Sequence, residues 1–333
     1  MSAGSRIGGL LRRYLPILDW APRYTRRTLT NDLIVAVIVT VMLIPQSLAY
    51  ALLAGLPVQV GLFASMAPLL VYAIFGTSRT LAVGPVAVVS LMTAAAVAPL
   101  AAQGSPEYLG AAIALAMVSG LLLLAMGLLR LGFLANFLSH PVVAGFITAS
   151  GLQIAAGQLG PVLGIHLEGE TFVELIAQLG REIGQTNPYT AAIGLGSLVF
   201  LFWARRGLKP LLQRLGLGEQ TASTLAKIGP AVALVATTVA VWAFALGDLG
   251  VSIVSTVPQG LPRLALPPLD FSLWMRILVP ALLISIVGYV ESISVALTLA
   301  AKRRQRVDPD QELIALGASN IGAAISGGFP VTG

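Results

Sequence analysis

Nine stretches of this sequence read as apolar helices on the scale of a lipid bilayer, and little chain is left between them. They are 33–54, 58–75, 85–100, 108–129, 142–159, 189–203, 228–246, 278–300 and 313–325, and a tenth opens near Pro330. A helical span needs about 20 mostly apolar residues, because the hydrocarbon core is about 30 Å thick. Backbone polar groups in hydrocarbon must be satisfied inside the protein, which favours helices. The sequence therefore predicts an all-α polytopic membrane protein. Composition agrees: 10% of residues are charged and 56% are hydrophobic, whereas soluble domains carry about 25% charge.

The charges that remain have an order. Placing the N-terminus in the cytoplasm and alternating the spans puts 17 of the 20 Lys and Arg residues inside and leaves only Arg181, Arg263 and Arg276 outside. That is the positive-inside pattern, and a wrong span count would break it. The acids Glu107, Glu168, Glu170, Glu174, Glu182, Asp248 and Asp270 fall in the outside loops. The net charge of +6 thus belongs to loops facing lipid headgroups, and no nucleic-acid partner is expected. The start of the chain, with Arg6, Arg12 and Arg13 among Leu10, Leu11, Tyr14 and Leu15, reads as a cytoplasmic segment near the membrane surface, since it lacks the apolar core and cleavage site of a secretory signal. With no cysteine in the chain, disulfides and thiolate chemistry are excluded.

Two spans are unusual. The third is short and opens with Gly84-Pro85, and the tenth opens with Gly327-Gly328-Phe329-Pro330. Proline is well tolerated in a first helical turn. The residues before each, 77–83 and 326–329, are too irregular to continue a helix, and such backbone in a membrane must be buried in protein or line a cavity. The two openings also share a spacing: Gln46 to Pro85 is 39 residues, as is Glu291 to Pro330. At that offset Ser47 matches Ser292, Ala51 matches Ala296, Leu52 matches Leu297 and Pro85-Val86 matches Pro330-Val331. Seven spans separate the two starts, so the second copy runs upside down. Inverted repeats with broken helices in matching positions mark secondary transporters.

These features select candidate residues. The starts of the two short helices offer unpaired N–H groups and the positive end of a helix dipole, which suits an anion. Pro85, Val86, Ala87 and Val88 stand at one start, and Phe329, Pro330, Val331 and Thr332 at the other. Ser90 and Thr93 either add hydroxyls there or bond their own helix. Gln46, with Tyr50 one turn later, places an uncharged donor inside the first span beside Pro45. Glu291 is expected to be the one charged residue well inside a span, where a charge costs about 2.5–3.5 kcal/mol on insertion scales. It suits proton binding and release, with Ser294 and Thr298 on the same face. His140 and His166 have no partners at metal-ligand spacing, no cofactor is implied, and no nucleophile–base arrangement suggests an enzyme.

The run 31–93, with GLPVQVGL, FGTSR and VGPVAVVSLM, resembles the signature region of the sulfate permease family. LGFLANFLSHPVVAGFITASG (131–151) and ELIALGASNIGAAISGGFPVTG (312–333) are similar to that family as well. The resemblance implies a seven-plus-seven inverted-repeat transporter with a moving core domain and a gate domain. Spans 1–4 and 8–11 would form the core. It implies an anion held between the starts of spans 3 and 10, onto Pro85–Val88 and Phe329–Gly333, with Gln46 nearby and Glu291 as the coupling carboxyl. By that frame residues 1–30 are the cytoplasmic N-terminal segment, 31–250 the first repeat and 251–333 the start of the second. The function implied is proton-coupled symport of sulfate or a similar small anion, by a homodimer in a bacterial inner membrane. A bicarbonate or dicarboxylate carrier and an anion channel or sensor on the same fold are the alternatives. Family members continue past the opening of span 10, usually to a cytoplasmic STAS domain, so the sequence is expected to be a fragment that cannot transport alone.

Overall fold

A computed structural model describes residues 14–134, 140–165, 167, 169, 171–253, 260, 262 and 264–333. The expectations placed on the N-terminal arginines, Glu168, Glu170, His166, Arg263 and the His140 side chain lie outside the described residues. What is described is nearly all helix. After a short turn at Ile17–Trp20, the chain forms α1 (Arg26–Leu53), α2 (Val58–Phe75), α3 (Ala87–Val97), α4 (Pro106–Leu128), α5 (His140–Leu163), α6 (Phe172–Glu182) and α7 (Pro188–Trp203). A π-helical turn at Ala204–Leu208 leads into α8 (Lys209–Arg214), followed by α9 (Glu219–Lys227), α10 (Gly229–Ala243), α11 (Phe271–Arg303) and α12 (Pro309–Ile325).

Helix ends fall where capping chemistry puts them, a few residues from where hydropathy alone ends. α1 starts seven residues before the apolar run because Thr25 accepts from the Thr28 N–H at 3.2 Å, satisfying one of the orphan donors of a first turn. Asp270 caps α11 by accepting from the Ser272 N–H at 2.9 Å. The Ser272 hydroxyl and then this N–H hold its carboxyl below the usual range. Asp308 caps α12, accepting from the N–H groups of Asp310 at 3.0 Å and Gln311 at 3.3 Å. α1 runs on through Pro45, which leaves the Val41 carbonyl without its helical donor. Among the described residues, five helical stretches are long and apolar enough to cross a membrane: Arg26–Leu53, Val58–Phe75, Pro106–Leu128, Pro188–Arg214 and Phe271–Arg303.

The chain divides into two compact units. The first comprises Met1–Asn31, Leu43–Ile147 and Val257–Gly333, so the residues expected to open the second repeat pack with spans of the first. At its centre α4 and α12 are buried along most of their length. They cross closely at glycine: a Cβ on Gly317 would lie 2.6 Å from the Leu124 nitrogen, and one on Gly120 would lie 2.8 Å from the Gly317 carbonyl. Small residues let helix backbones approach in this way where no hydrophobic effect drives them together. Ser119 on α4 and Ser285 on α11 share a buried hydrogen bond of 2.8 Å. The Tyr289 hydroxyl donates to the Gly132 carbonyl at 3.0 Å.

The second unit comprises Asp32–Met42 and Thr148–Thr256. Helix caps supply several of its ordering contacts. Asn187 caps α7 by accepting from Tyr189 and Thr190, each at 3.0 Å, and its amide donates to the Leu249 carbonyl at 3.0 Å. Thr171 and Glu174 form a capping box at the start of α6. Lys209 pairs with Glu219 at 3.1 Å, an exposed pair worth little to stability.

Candidate functional site

The two irregular segments picked out by their Gly-Pro chemistry meet. Gly84 donates its N–H to the Thr332 carbonyl at 2.8 Å, and Thr332 returns its N–H to the Gly84 carbonyl at 3.0 Å. This isolated antiparallel pair joins backbone that has no helical partner on either side. It answers the demand that every buried main-chain donor and acceptor be matched.

On one side of the pair stands α3. Its N-cap, Val86, is extended, with φ −133° and ψ 153°, and no side chain caps the helix. The first backbone bond is from the Ser90 N–H to the Val86 carbonyl, 2.9 Å. The amides of Ala87, Val88 and Val89 therefore point out of the helix start without a helical acceptor. Pro85 and Ala87 are buried, while Val86 and Val88 keep an accessible face. Ser90 and Thr93 do not add to this donor set, because each hydroxyl donates back to its own helix at 2.8 Å, to Val86 and Val89 respectively.

The other side is closed. Asn320 on α12 grips Val331 twice: it accepts from the Val331 N–H at 2.9 Å and donates to the Val331 carbonyl at 2.9 Å. The Thr332 hydroxyl donates to the Gly288 carbonyl at 2.6 Å and shares a 2.5 Å bond with Ser292. The Gly333 N–H donates to Ser292 at 2.8 Å. Phe329, Pro330, Val331 and Thr332 are all buried. So the residues expected to offer donors from the second segment have their amides at Val331 and Thr332 already engaged.

Gln46 is exposed, and its amide lies 3.3 Å from the Tyr50 hydroxyl, as the i, i+4 spacing predicts. Behind it Ser47 is fully buried and bonded to Ser65 on α2 at 2.6 Å. The neighbouring α2 residues carry the second segment: Ser326 donates to the Phe63 carbonyl at 3.1 Å, and a Cβ on Gly328 would lie 2.8 Å from the Ala64 Cα. Residues 63–65 therefore touch both α1 behind Gln46 and the approach to Phe329. Glu291 precedes Ser292 on α11, and one of its carboxyl oxygens is buried without a hydrogen-bond partner. Ser294 and Thr298 bond their own helix, to Val290 at 2.6 Å and to Ser294 at 2.7 Å, so they do not extend a polar face toward it.

A second acid, beyond the Glu291 expected from the sequence, lies inside the first compact unit. Glu312, near the start of α12, is 1% exposed. Its Oε1 accepts from the N–H of Thr77 at 2.8 Å, the hydroxyl of Thr77 at 2.5 Å and the N–H of Ser78 at 3.1 Å, and its Oε2 accepts from the Tyr72 hydroxyl at 2.7 Å. In the sequence Glu312 stands just ahead of the apolar run that opens at Leu313, so hydropathy does not mark it. Asn320 is marked by its place in GASNIGAA, among residues too small to shield an unpaired amide.

The sequence pattern of the sulfate permease family matches residues 29–333. Among curated relatives, a probable sulfate transporter of Mycobacterium tuberculosis (strain CDC 1551 / Oshkosh) is 36% identical over 323 residues, covering 94% of this chain and 54% of the relative. The chain thus spans about half the length of that relative. Among solved structures, SLC26A9 superposes with a TM-score of 0.84 at 26% identity, over 100% of this chain and 53% of that one. The transmembrane domain of the cyanobacterial bicarbonate transporter BicA superposes at 0.75 with 23% identity, over 93% of this chain and 76% of that one, a likeness of fold. These likenesses give the chain the inverted-repeat transporter fold that its broken helices implied.

Proposed function

The chain belongs to the sulfate permease family, and from that premise we propose that it forms the anion-binding part of a secondary transporter for sulfate or a similar small anion. The observation that carries this reading is the Gly84–Thr332 pair. It brings the approach to α3 against the second segment, and the start of α3 has no side-chain cap. An oxyanion there meets the N–H groups of Ala87 and Val88 and the positive end of the α3 dipole, which binds it without a buried Lys or Arg. Gln46 adds a neutral donor from α1. Phe329–Thr332 act by shape and by fixing Gly84, since the Val331 and Thr332 amides are engaged.

Coupling falls to Glu291. Its unpartnered buried oxygen carries a large desolvation cost as a carboxylate, which a proton removes. In this reading a proton enters with the anion and neutralises Glu291. The core then moves against the gate in alternating access, and both ligands leave on the other side. The working protein is a homodimer in a bacterial inner membrane with its N-terminus in the cytoplasm.

The test is ion flux in proteoliposomes holding the whole transporter of which this chain forms the anion-binding part. A sulfate gradient should drive measurable proton co-movement, and Glu291→Gln should abolish that movement while sulfate still binds. Sulfate uptake with no proton movement in the unmodified protein contradicts the coupling, and bicarbonate competing better than sulfate reassigns the substrate.

A further inference from the structure

The segment between α2 and α3 has to turn back from the end of one helix and deliver the start of the next to the bridge at Gly84. Residues 77–83 form no helix or strand, and within them the Ser78 hydroxyl accepts from the N–H groups of Thr80 at 3.4 Å and Leu81 at 3.3 Å. Its anchors outside the segment come from the start of α12 and from α2. Glu312 accepts both the Thr77 and Ser78 N–H groups on a single oxygen, along with the Thr77 hydroxyl. Tyr72, on the last turn of α2, holds the other oxygen. Gln311 donates to the Phe75 carbonyl at 2.8 Å and to the Tyr14 carbonyl at 3.1 Å. The Asp308 N–H donates to the Thr77 hydroxyl at 3.2 Å.

We propose that Glu312 is a positioning residue of the anion site, whose carboxyl fixes the backbone at Thr77 and Ser78 and thereby sets where α3 presents its first amides. The proposal rests on the reading of α3 as the anion-binding helix. The same helix, α12, holds the second segment through Asn320 at Val331. One rigid element thus references both segments, and the distance between Glu312 and Asn320 along it is set by the helix rise. A carboxylate buried this deeply is expensive to keep as mere filler, but four donors converging on it compensate, two of them main-chain N–H groups that would otherwise be orphaned. Glu312 touches no anion. Its effect is geometric, and geometry separates it from a charge effect.

Two substitutions make that separation. Glu312→Gln keeps the length and removes the charge, leaving one oxygen for Thr77 and Ser78 and an amide that donates to the Tyr72 oxygen. Glu312→Asp keeps the charge and withdraws it by one methylene, out of reach of both partners at once. Equilibrium binding of radiolabelled sulfate to the purified protein should be within about threefold of the unmodified protein for Gln. It should be about tenfold or more weaker for Asp, the scale of one charge-assisted hydrogen bond lost. Hydrogen–deuterium exchange should rise in peptides spanning 77–90 in the Asp variant, while peptides of α4 stay protected. The reverse order, with Asp binding normally and Gln weakly, overturns the proposal. So does faster exchange at 77–90 with unchanged affinity. If the unmodified protein binds no sulfate, the anion reading fails, and the exchange data still report whether Glu312 holds the segment. Tyr72→Phe, which spares Oε1, should leave affinity within about threefold, and a large loss there also counts against the proposal.

Discussion

The segment leading into α3 and the segment following α12 look alike in sequence and differ in what they have left to give. Both break at Gly and Pro, both lie in the same compact unit, and they meet at a single backbone pair. The second arrives bonded along its last three residues: Asn320 holds Val331, Gly288 and Ser292 hold Thr332, and Ser292 also holds Gly333. The first is held further back, at Thr77 and Ser78, and its leading amides are unclaimed. The difference teaches that a symmetric sequence feature need not give a symmetric site. In the proposed reading one half serves as a template and the other as the binding surface.

The comparison predicts unequal responses to mutation. The largest loss of stability should come from Asn320→Leu, which strands a buried N–H and a buried carbonyl at Val331. At about 1–3 kcal/mol for each unsatisfied group, a fall of several kcal/mol is expected, read as a lowered melting temperature in detergent. A neutral result would show that the Gly84 pair alone holds the second segment. Ser292→Ala should cost less, about 1–3 kcal/mol, since it leaves the Gly333 N–H without its acceptor while Thr332 keeps Gly288. Ser90→Ala should be the mildest, within about 0.5 kcal/mol, because its hydroxyl only doubles a bond on its own helix carbonyl. A large effect at Ser90 would mean that α3 uses its hydroxyl face after all.

Much of this was legible beforehand. The apolar runs became helices, the boundary of α2 fell at 58 and 75 as the hydropathy suggested, and the Gly-Pro openings became the two segments that meet. Gln46 and Tyr50 lie together because i and i+4 share a helix face. What escaped was pairing across distance. Thr77 and Glu312 are 235 residues apart, and nothing local to either says that an acid just ahead of an apolar run will be buried rather than solvated. The crossing of Gly120 and Gly317 is hidden for the same reason, since each glycine reads alone as a weak helix position. The engagement of the Val331 and Thr332 amides could not be inferred either, because the offset repeat marks equivalent positions and says nothing of which donors a neighbouring helix has taken.

The claim that the anion is held by the start of α3 has a direct test in Ala87→Pro. Proline fits the first helical position, where the missing N–H had no helical acceptor, and the preceding Val86 is already extended as a pre-proline residue must be. The substitution therefore removes one proposed anion donor and no helix hydrogen bond. With the melting temperature held near that of the unmodified protein, sulfate affinity should fall about 10- to 100-fold, the scale of one hydrogen bond to a charged group. A well-folded Ala87→Pro protein that binds sulfate as tightly as before would contradict the account.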